Sequence, residues 1–209
     1  MDWIQQLQSA DWHRVTGCVL EAYLLGCFAT GYYLVRARTG KDLRTIESGS
    51  IGARNAGRVL GKPGFFLTVL GDLAKGALAV WIAWKWTGDP HLALFALLAV
   101  VVGHLWPAQL RFQGGKGVAT SLGALLVFDY RVALVFPVLF IVGFALMRKT
   151  LLPGMFAFAC LPMAAWLLNC DNFTVALLTF LVALILFAHR RNLTEEFVEL
   201  AARRRGHET

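Results

Sequence analysis

The chain has 209 residues, of which 57% are hydrophobic and only 16% charged, and its mean hydropathy is +0.59. Ordinary globular chains are about 45–50% apolar and about 25% charged, and a soluble fold of this size cannot hide so much apolar surface, so a soluble enzyme and a disordered polypeptide are both excluded. The formal net charge of +7, from 20 basic and 13 acidic residues, suits the cytoplasmic face of a membrane and its anionic lipids, and no nucleic-acid partner is expected.

The sequence opens Met1-Asp2 with no basic stretch before an apolar one, so no cleavable signal peptide is expected. Trp3, Ile4 and Leu7 share one helical face, and 1–14 suits a short helix lying in the membrane interface. Apolar segments at 15–36, 63–86, 91–110, 131–147, 151–169 and 173–189 are long enough, or nearly so, to cross about 30 Å of hydrocarbon. Segment 117–128 has 12 residues and reaches only about 18 Å as a helix, a half-span or a tilted, protein-buried helix.

Charge decides whether that short piece crosses. If it does, there are seven crossings with the N-terminus outside and the C-terminus cytoplasmic. Every basic residue except Arg14, Lys75, Lys85 and Arg131 then falls on the inside. If it does not, 148–150 and the basic C-terminus flip outside, against the positive-inside rule. The expected architecture is therefore an all-α polytopic membrane protein with seven transmembrane helices, forming a single domain over 1–209. Trp81, Trp84 and Trp86 cluster at one membrane end, as interfacial aromatics do. Cys18, Cys27, Cys160 and Cys170 lie in or beside apolar runs and form no C-x-x-C pair, so they read as small buried residues, with neither a disulfide framework nor a metal site expected.

Two basic, glycine-rich, non-helical stretches, 37–62 and 111–117, face the cytoplasm in this topology. Ser48 to Lys62 holds Gly49, Gly52, Gly57 and Gly61 with Ser48, Ser50, Asn55, Arg54, Arg58 and Lys62. Glycines let backbone N–H groups approach an anion, and hydroxyl and guanidinium groups add donors. The composition suits phosphate; a solvated basic loop that only sets topology is the plainer alternative. The stretch Phe112-Gln113-Gly114-Gly115-Lys116-Gly117 runs into the short helix through Thr120. Its glycines and lysine before a helix start make an anion site, or else a turn whose glycines serve packing. Gly117 after Lys116 departs from the nucleotide-binding P-loop, so ATP is not inferred.

Asp72 and Lys75 lie three apart on one membrane-depth helix and face the same way. Ionisable groups there mark either function or a structural ion pair. Glu21 is a lone acid in the first span, and His104 precedes Trp106-Pro107. His189 and Asn192 lie one turn apart at the end of the last span. A histidine there is placed to orient or deprotonate a hydroxyl, or simply sits against the helix dipole.

Together these pieces resemble the bacterial acyl-phosphate:glycerol-3-phosphate acyltransferase (PlsY) family over nearly the whole chain. Ser48, Gly49, Gly52, Ala53, Asn55, Arg58, Gly61, Lys62, Asp72, Lys75 and Gly76 fit its first motif. His104, Pro107, Phe112 and Gly114 through Thr120 fit the second, the most specific, and His189 with Asn192 the third. Glu47, Ser50 and Arg54 stand where the family usually has Gly, Asn and Thr; Gln113 replaces a lysine, and Ala29-Thr30 a Pro-Ser.

The resemblance implies a bacterial inner-membrane enzyme with its site open to the cytoplasm. It implies transfer of a fatty acyl group from acyl phosphate to the sn-1 hydroxyl of glycerol 3-phosphate, giving lysophosphatidic acid and phosphate for phospholipid synthesis. Ser48, Gly49, Gly52, Asn55, Arg58, Gly114, Gly115, Lys116 and Gly117 would bind substrate phosphate, with Ser48, Arg58 and Lys116 holding it. Lys116, His189 and Asn192 would be catalytic, and Asp72, Lys75, His104 and Thr120 supporting. An acyl phosphate is already activated, so no nucleophilic serine, metal or cofactor is expected, and positioning and charge stabilisation can supply much of the rate.

Acyltransferases built on a His-x4-Asp pair are excluded, because no histidine here has an aspartate five residues later. A CDP-alcohol phosphotransferase needs several aspartates around a metal, and Asp72 is the only one at membrane depth. The remaining rivals are a transporter of an organic phosphate and an inactive lipid-binding relative.

Overall fold

The computed structural model describes residues 12–205. The interfacial helix expected over 1–14 lies outside the described residues except for positions 12–14, the first turn of α1 (Trp12–Cys27). The helices that follow are α2 (Thr30–Thr39), α3 (Ala53–Thr87), α4 (Pro90–Leu105), α5 (Val118–Phe128), α6 (Tyr130–Met147), α7 (Leu151–Ala159), α8 (Leu161–Leu167) and α9 (Asn172–Arg205). Short 3-10 turns at Leu43–Thr45 and Ala108–Leu110 interrupt the connections, and no strand occurs among the described residues. Among the described residues, five stretches are long and apolar enough to cross a membrane: Trp12–Thr39, Ala53–Thr87, Pro90–Leu110, Tyr130–Met147 and Asn172–Glu199. Val118–Phe128 and Leu151–Leu167 are apolar but shorter.

Three expectations are corrected. The first span is not continuous. It breaks between α1 and α2, where Ala29 leaves helical geometry at φ −90°, ψ 79°. Segment 151–169 is two short helices that meet at Cys160, because Pro162 in the first turn of α8 has no N–H to continue α7. The stretch 37–62 is helical at both ends, since α2 runs to Thr39 and α3 begins at Ala53. Arg58 and Lys62 therefore ride on α3.

That helix has 35 residues and would reach about 52 Å if straight, well beyond the hydrocarbon. It does not run straight. Gly61 sits at φ 69°, ψ −162°, a conformation essentially closed to residues with a Cβ, and Pro63 withholds an N–H just after it. A short arm carrying Arg54 and Arg58 is thus set off from the long membrane segment.

The chain divides into two compact units, one ending at Asp129 and the other beginning at Tyr130. In the first, α3 packs along α5 and α1 along α4. Both crossings use glycine. A Cβ on Gly76 would overlap the Thr120 carbonyl, and one on Gly123 the Leu73 carbonyl. Gly26 and Gly103 meet the backbones of Val100 and Tyr23 in the same way. With lipid as apolar as a core, helices gain by close backbone approach, and small residues permit it. Leu94, Leu97, Val100, Val101 and Leu125 fill the interior, while Leu70, Trp81, Trp84 and Trp86 face outward.

In the second unit α6 packs on α7 and α8, and α9 on α7 and α8. Phe136 stacks on Phe140 and meets Phe158 at 4.8 Å between ring centroids. Lys149, in the turn before α7, pairs with Glu196 on the polar end of α9. Cys18 and Cys27 are buried as expected, whereas Cys160 and Cys170 are only half-buried, at or just beyond the ends of short helices where packing is thinner.

Candidate active site

The break between α1 and α2 leaves carbonyls at Gly26, Cys27 and Phe28 without helical partners. Three side-chain bonds from elsewhere satisfy them. Lys75 Nζ donates to Gly26 O at 3.2 Å and to Phe28 O at 2.8 Å, and Gln109 Nε2 donates to Cys27 O. Irregular backbone at membrane depth is tolerated where protein groups supply such bonds. Lys75 also pairs with Asp72 Oδ1 at 2.9 Å and lies 2.7 Å from His104 Nδ1, while Thr30 Oγ1 donates to the same Asp72 oxygen at 3.3 Å. Asp72, Lys75 and His104 are all buried. An ammonium donates and cannot accept, so the lysine fixes the neutral His104 proton on Nε2.

His104 links this network to the second glycine stretch. Gly115 N donates to His104 O at 3.0 Å. A Cβ on Gly115 would overlap His104 Nε2, and one on Gly114 the carbonyls of His104 and Leu105. Both glycines are therefore required because the strand of backbone lies flat on the end of α4. Lys116 follows, half-buried, and Gly117 takes φ 80° as the residue before α5. The first bond within α5 runs from Ser121 N to Gly117 O, so the amides of Val118, Ala119 and Thr120 have no partner inside the helix and mark its positive end. The Thr120 side chain is fully buried, with its hydroxyl unpartnered among the described residues.

The first stretch is shaped by Asn55. Its side chain is 1% exposed, and Nδ2 reaches the carbonyls of Leu43, Ile46 and Ser50 at 3.1, 2.9 and 2.9 Å. Around this post the chain turns through Glu47 at φ 48° and Gly49 at φ 66°, and Ser50 Oγ accepts from Gly52 N at 3.3 Å. Gly52 precedes α3 without a capping side chain. Ser48 and Arg58 are exposed. Asn55→Asp keeps the shape but sets a carboxylate against three carbonyl oxygens. Each carbonyl left without its donor costs about 1–3 kcal/mol, so the melting temperature should drop and activity should fall with it. An unchanged melting curve would show that the loop holds its shape without this amide.

Arg44, to which the sequence reading gave no role, ties the two stretches together. Its Nε and Nη2 bind Asp42 at 3.0 and 2.6 Å, and Nη1 donates to Leu110 O at 3.0 Å. Its guanidinium lies 5.4 Å from the centre of the Tyr32 ring. The adjacent guanidinium holds the Asp42 carboxyl below its ordinary value, so this pair persists as pH falls until that lowered value is reached. Leu43, Ile51, Ala56 and Leu110 share one apolar cluster beneath. The spacing Asp42-x-Arg44 is the signal that was present in the sequence.

His189 and Asn192 lie on α9, in the second unit. His189 is 6% exposed, and its Nδ1 lies 2.8 Å from Ile185 O. A carbonyl only accepts, so Nδ1 carries a proton. Three residues on, Asn192 shares the same helical face.

The glycerol-3-phosphate acyltransferase family matches residues 16–197. Glycerol-3-phosphate acyltransferase 1 of Desulfitobacterium hafniense is 42% identical over 187 residues, covering 90% of this chain and 93% of that protein. A Methylobacillus flagellatus relative of the same name is 40% identical over 175 residues, covering 84% and 89%. Among solved structures, the integral membrane glycerol 3-phosphate acyltransferase PlsY in its glycerol 3-phosphate form superposes with a TM-score of 0.82 at 32% identity, over 88% of this chain and 92% of that one. Its lysophosphatidic acid form gives 0.80 at 30% identity over the same shares. With two anchored glycine turns, a buried Asp–Lys–His network and a match that runs almost end to end, the chain belongs to the glycerol-3-phosphate acyltransferase family of integral membrane enzymes.

Proposed function

We propose that this acyltransferase takes a fatty acyl group from acyl phosphate and delivers it to the sn-1 hydroxyl of glycerol 3-phosphate, releasing phosphate and lysophosphatidic acid. The observation that carries the proposal is the tie between the two glycine stretches. Arg44 and the shared apolar cluster hold together the loop bearing Ser48 and the turn bearing Lys116, and the two substrates each bring a phosphate to be held.

Ser48, Arg58, Lys116 and the first amides of α5 bind phosphate, with Gly49, Gly52, Gly114, Gly115 and Gly117 letting the backbone come close. Asn55 shapes the first loop, and Asp72, Lys75, His104 and Thr120 support the second. The hydroxyl attacks the acyl carbonyl, the C–O bond to phosphate breaks, and phosphate leaves with the electron pair. His189 or a substrate phosphate oxygen takes the hydroxyl proton, with Asn192 one turn from His189 on α9. No metal or cofactor takes part.

The chain is a single integral membrane domain over 1–209. Seven crossings, with the short α5 among them, put the N-terminus outside and the C-terminus in the cytoplasm. The enzyme sits in the bacterial inner membrane with its site open to the cytoplasm. A transporter is disfavoured, since family members are named for acyl transfer.

The direct experiment is phosphate release by purified enzyme in detergent or lipidic mesophase. Release that requires both acyl phosphate and glycerol 3-phosphate is expected. Equal activity with acyl-CoA or acyl carrier protein as donor would overturn the acyl-phosphate assignment, and uptake of glycerol phosphate into liposomes without acyl product would overturn the enzyme.

A further inference from the structure

Glu47 stands at φ 48°, a left-handed conformation that costs an ordinary side chain free energy and that glycine adopts freely. Its carboxylate Oε2 lies 3.6 Å from Nη1 of Arg58. Both side chains are largely exposed, 62% for Glu47 and 46% for Arg58. Strain of this kind persists where the surroundings fix it, and it gathers at functional sites. Of the five non-glycine residues with positive φ among the described residues, Glu47, Arg111 and Phe112 lie within the two glycine stretches. The result at Glu47 is an anion held beside a guanidinium in a loop otherwise rich in cations and glycine.

We propose, on the footing that Arg58 holds substrate phosphate, that Glu47 is a specificity-determining residue. Its carboxylate occupies Arg58 in the resting enzyme as an internal competitor, and it sets the affinity for the phosphate of glycerol 3-phosphate. An incoming phosphate carries up to two negative charges and seeks the same guanidinium. It must displace the carboxylate or bind beside it. An exposed ion pair is weak, so displacement is easy. Freeing the guanidinium from the carboxylate is the cost that the phosphate meets, and salt, which screens the pair, lowers that cost. The effect falls on substrate binding. Attack on the acyl carbonyl does not involve Glu47, so turnover at saturation is untouched.

The test is steady-state kinetics of the full chain with Glu47→Gln, Glu47→Gly, Arg58→Ala and the double variant Glu47→Gln/Arg58→Ala, at saturating acyl phosphate. Glu47→Gln keeps the shape and removes the charge. It should lower the KM for glycerol 3-phosphate about twofold to fivefold at low ionic strength, with kcat unchanged, and the gain should shrink in about 0.5 M salt. In the Arg58→Ala background the same change should leave KM where it was. Glu47→Gly should give the same drop in KM and also melt later, since it relieves the backbone.

A KM that does not move in Glu47→Gln, while Arg58→Ala alone raises it, overturns the proposal and leaves the phosphate role of Arg58 intact. A gain of equal size with and without Arg58 also overturns it, because the charge would then act through another group. If Arg58→Ala alone leaves KM unchanged, the footing itself fails and the proposal falls with it.

Discussion

Lys116→Ala is expected to reduce phosphate release by about a hundredfold to a thousandfold, the scale seen when a preorganised donor to developing charge is removed. The side chain leaves a turn that is fixed on both sides. Gly114 and Gly115 lie flat on the end of α4, and Gly117 opens α5. Lys116 therefore stands just before the positive end of a helix whose first amides have no partners within it, and its loss removes a full positive charge there. The fold should be unaffected, since Lys116 is half-buried and the glycines make the packing contacts. The measurement is release of phosphate together with a melting curve. Turnover equal to that of the unaltered enzyme would remove Lys116 from the site, and lost activity with a lowered melting temperature would assign it to folding instead.

Lys75→Met is expected to destabilise the protein by about 3–5 kcal/mol, the cost of breaking a buried ion pair on one side. Asp72 would keep a buried carboxylate with Thr30 as a donor and His104 Nδ1 3.6 Å away. The carbonyls of Gly26 and Phe28 would lose their donor, and His104 Nδ1 its partner. The compensated variant Asp72→Leu/Lys75→Met separates charge from shape. An apolar pair of similar volume removes the stranded carboxylate, and such replacements are often neutral, so part of the lost melting temperature should return. Activity should not return with it, because His104, against which Gly115 rests, would still lack the lysine that fixes its proton. A single variant that melts with the unaltered protein would show that the network contributes nothing to stability.

Much of the candidate site was legible as residues, and little of it as contacts. Asp72 and Lys75 were visible as a pair because three residues on a helix place two side chains on one face, and the ion pair is there at 2.9 Å. Their link to His104, 29 positions along the chain from Lys75, was not, since nothing local specifies which helices meet. Asn55 was grouped with the phosphate-binding residues because it lies among them in sequence; the fold turns its amide onto three loop carbonyls. Gly114 and Gly115 admitted two readings, anion cradle or packing. Their contact with the end of α4 establishes close packing there, and it leaves room for the other role in Lys116 and the amides of α5.

Hydropathy is a property of each residue and its near neighbours, so the sequence by itself determined that this is a helical membrane protein, where its apolar segments lie, and which short motifs carry charge and glycine. It also determined the kink in α3, whose cause is local in Gly61 and Pro63. The break in the first span, the binding of its freed carbonyls by Lys75 and Gln109, the strap from Arg44 to Leu110, and the ion pair between Glu47 and Arg58 were decided only by tertiary structure. Each joins groups separated along the chain, and a hydrogen bond between distant residues exists only once packing has brought them within about 3 Å of one another.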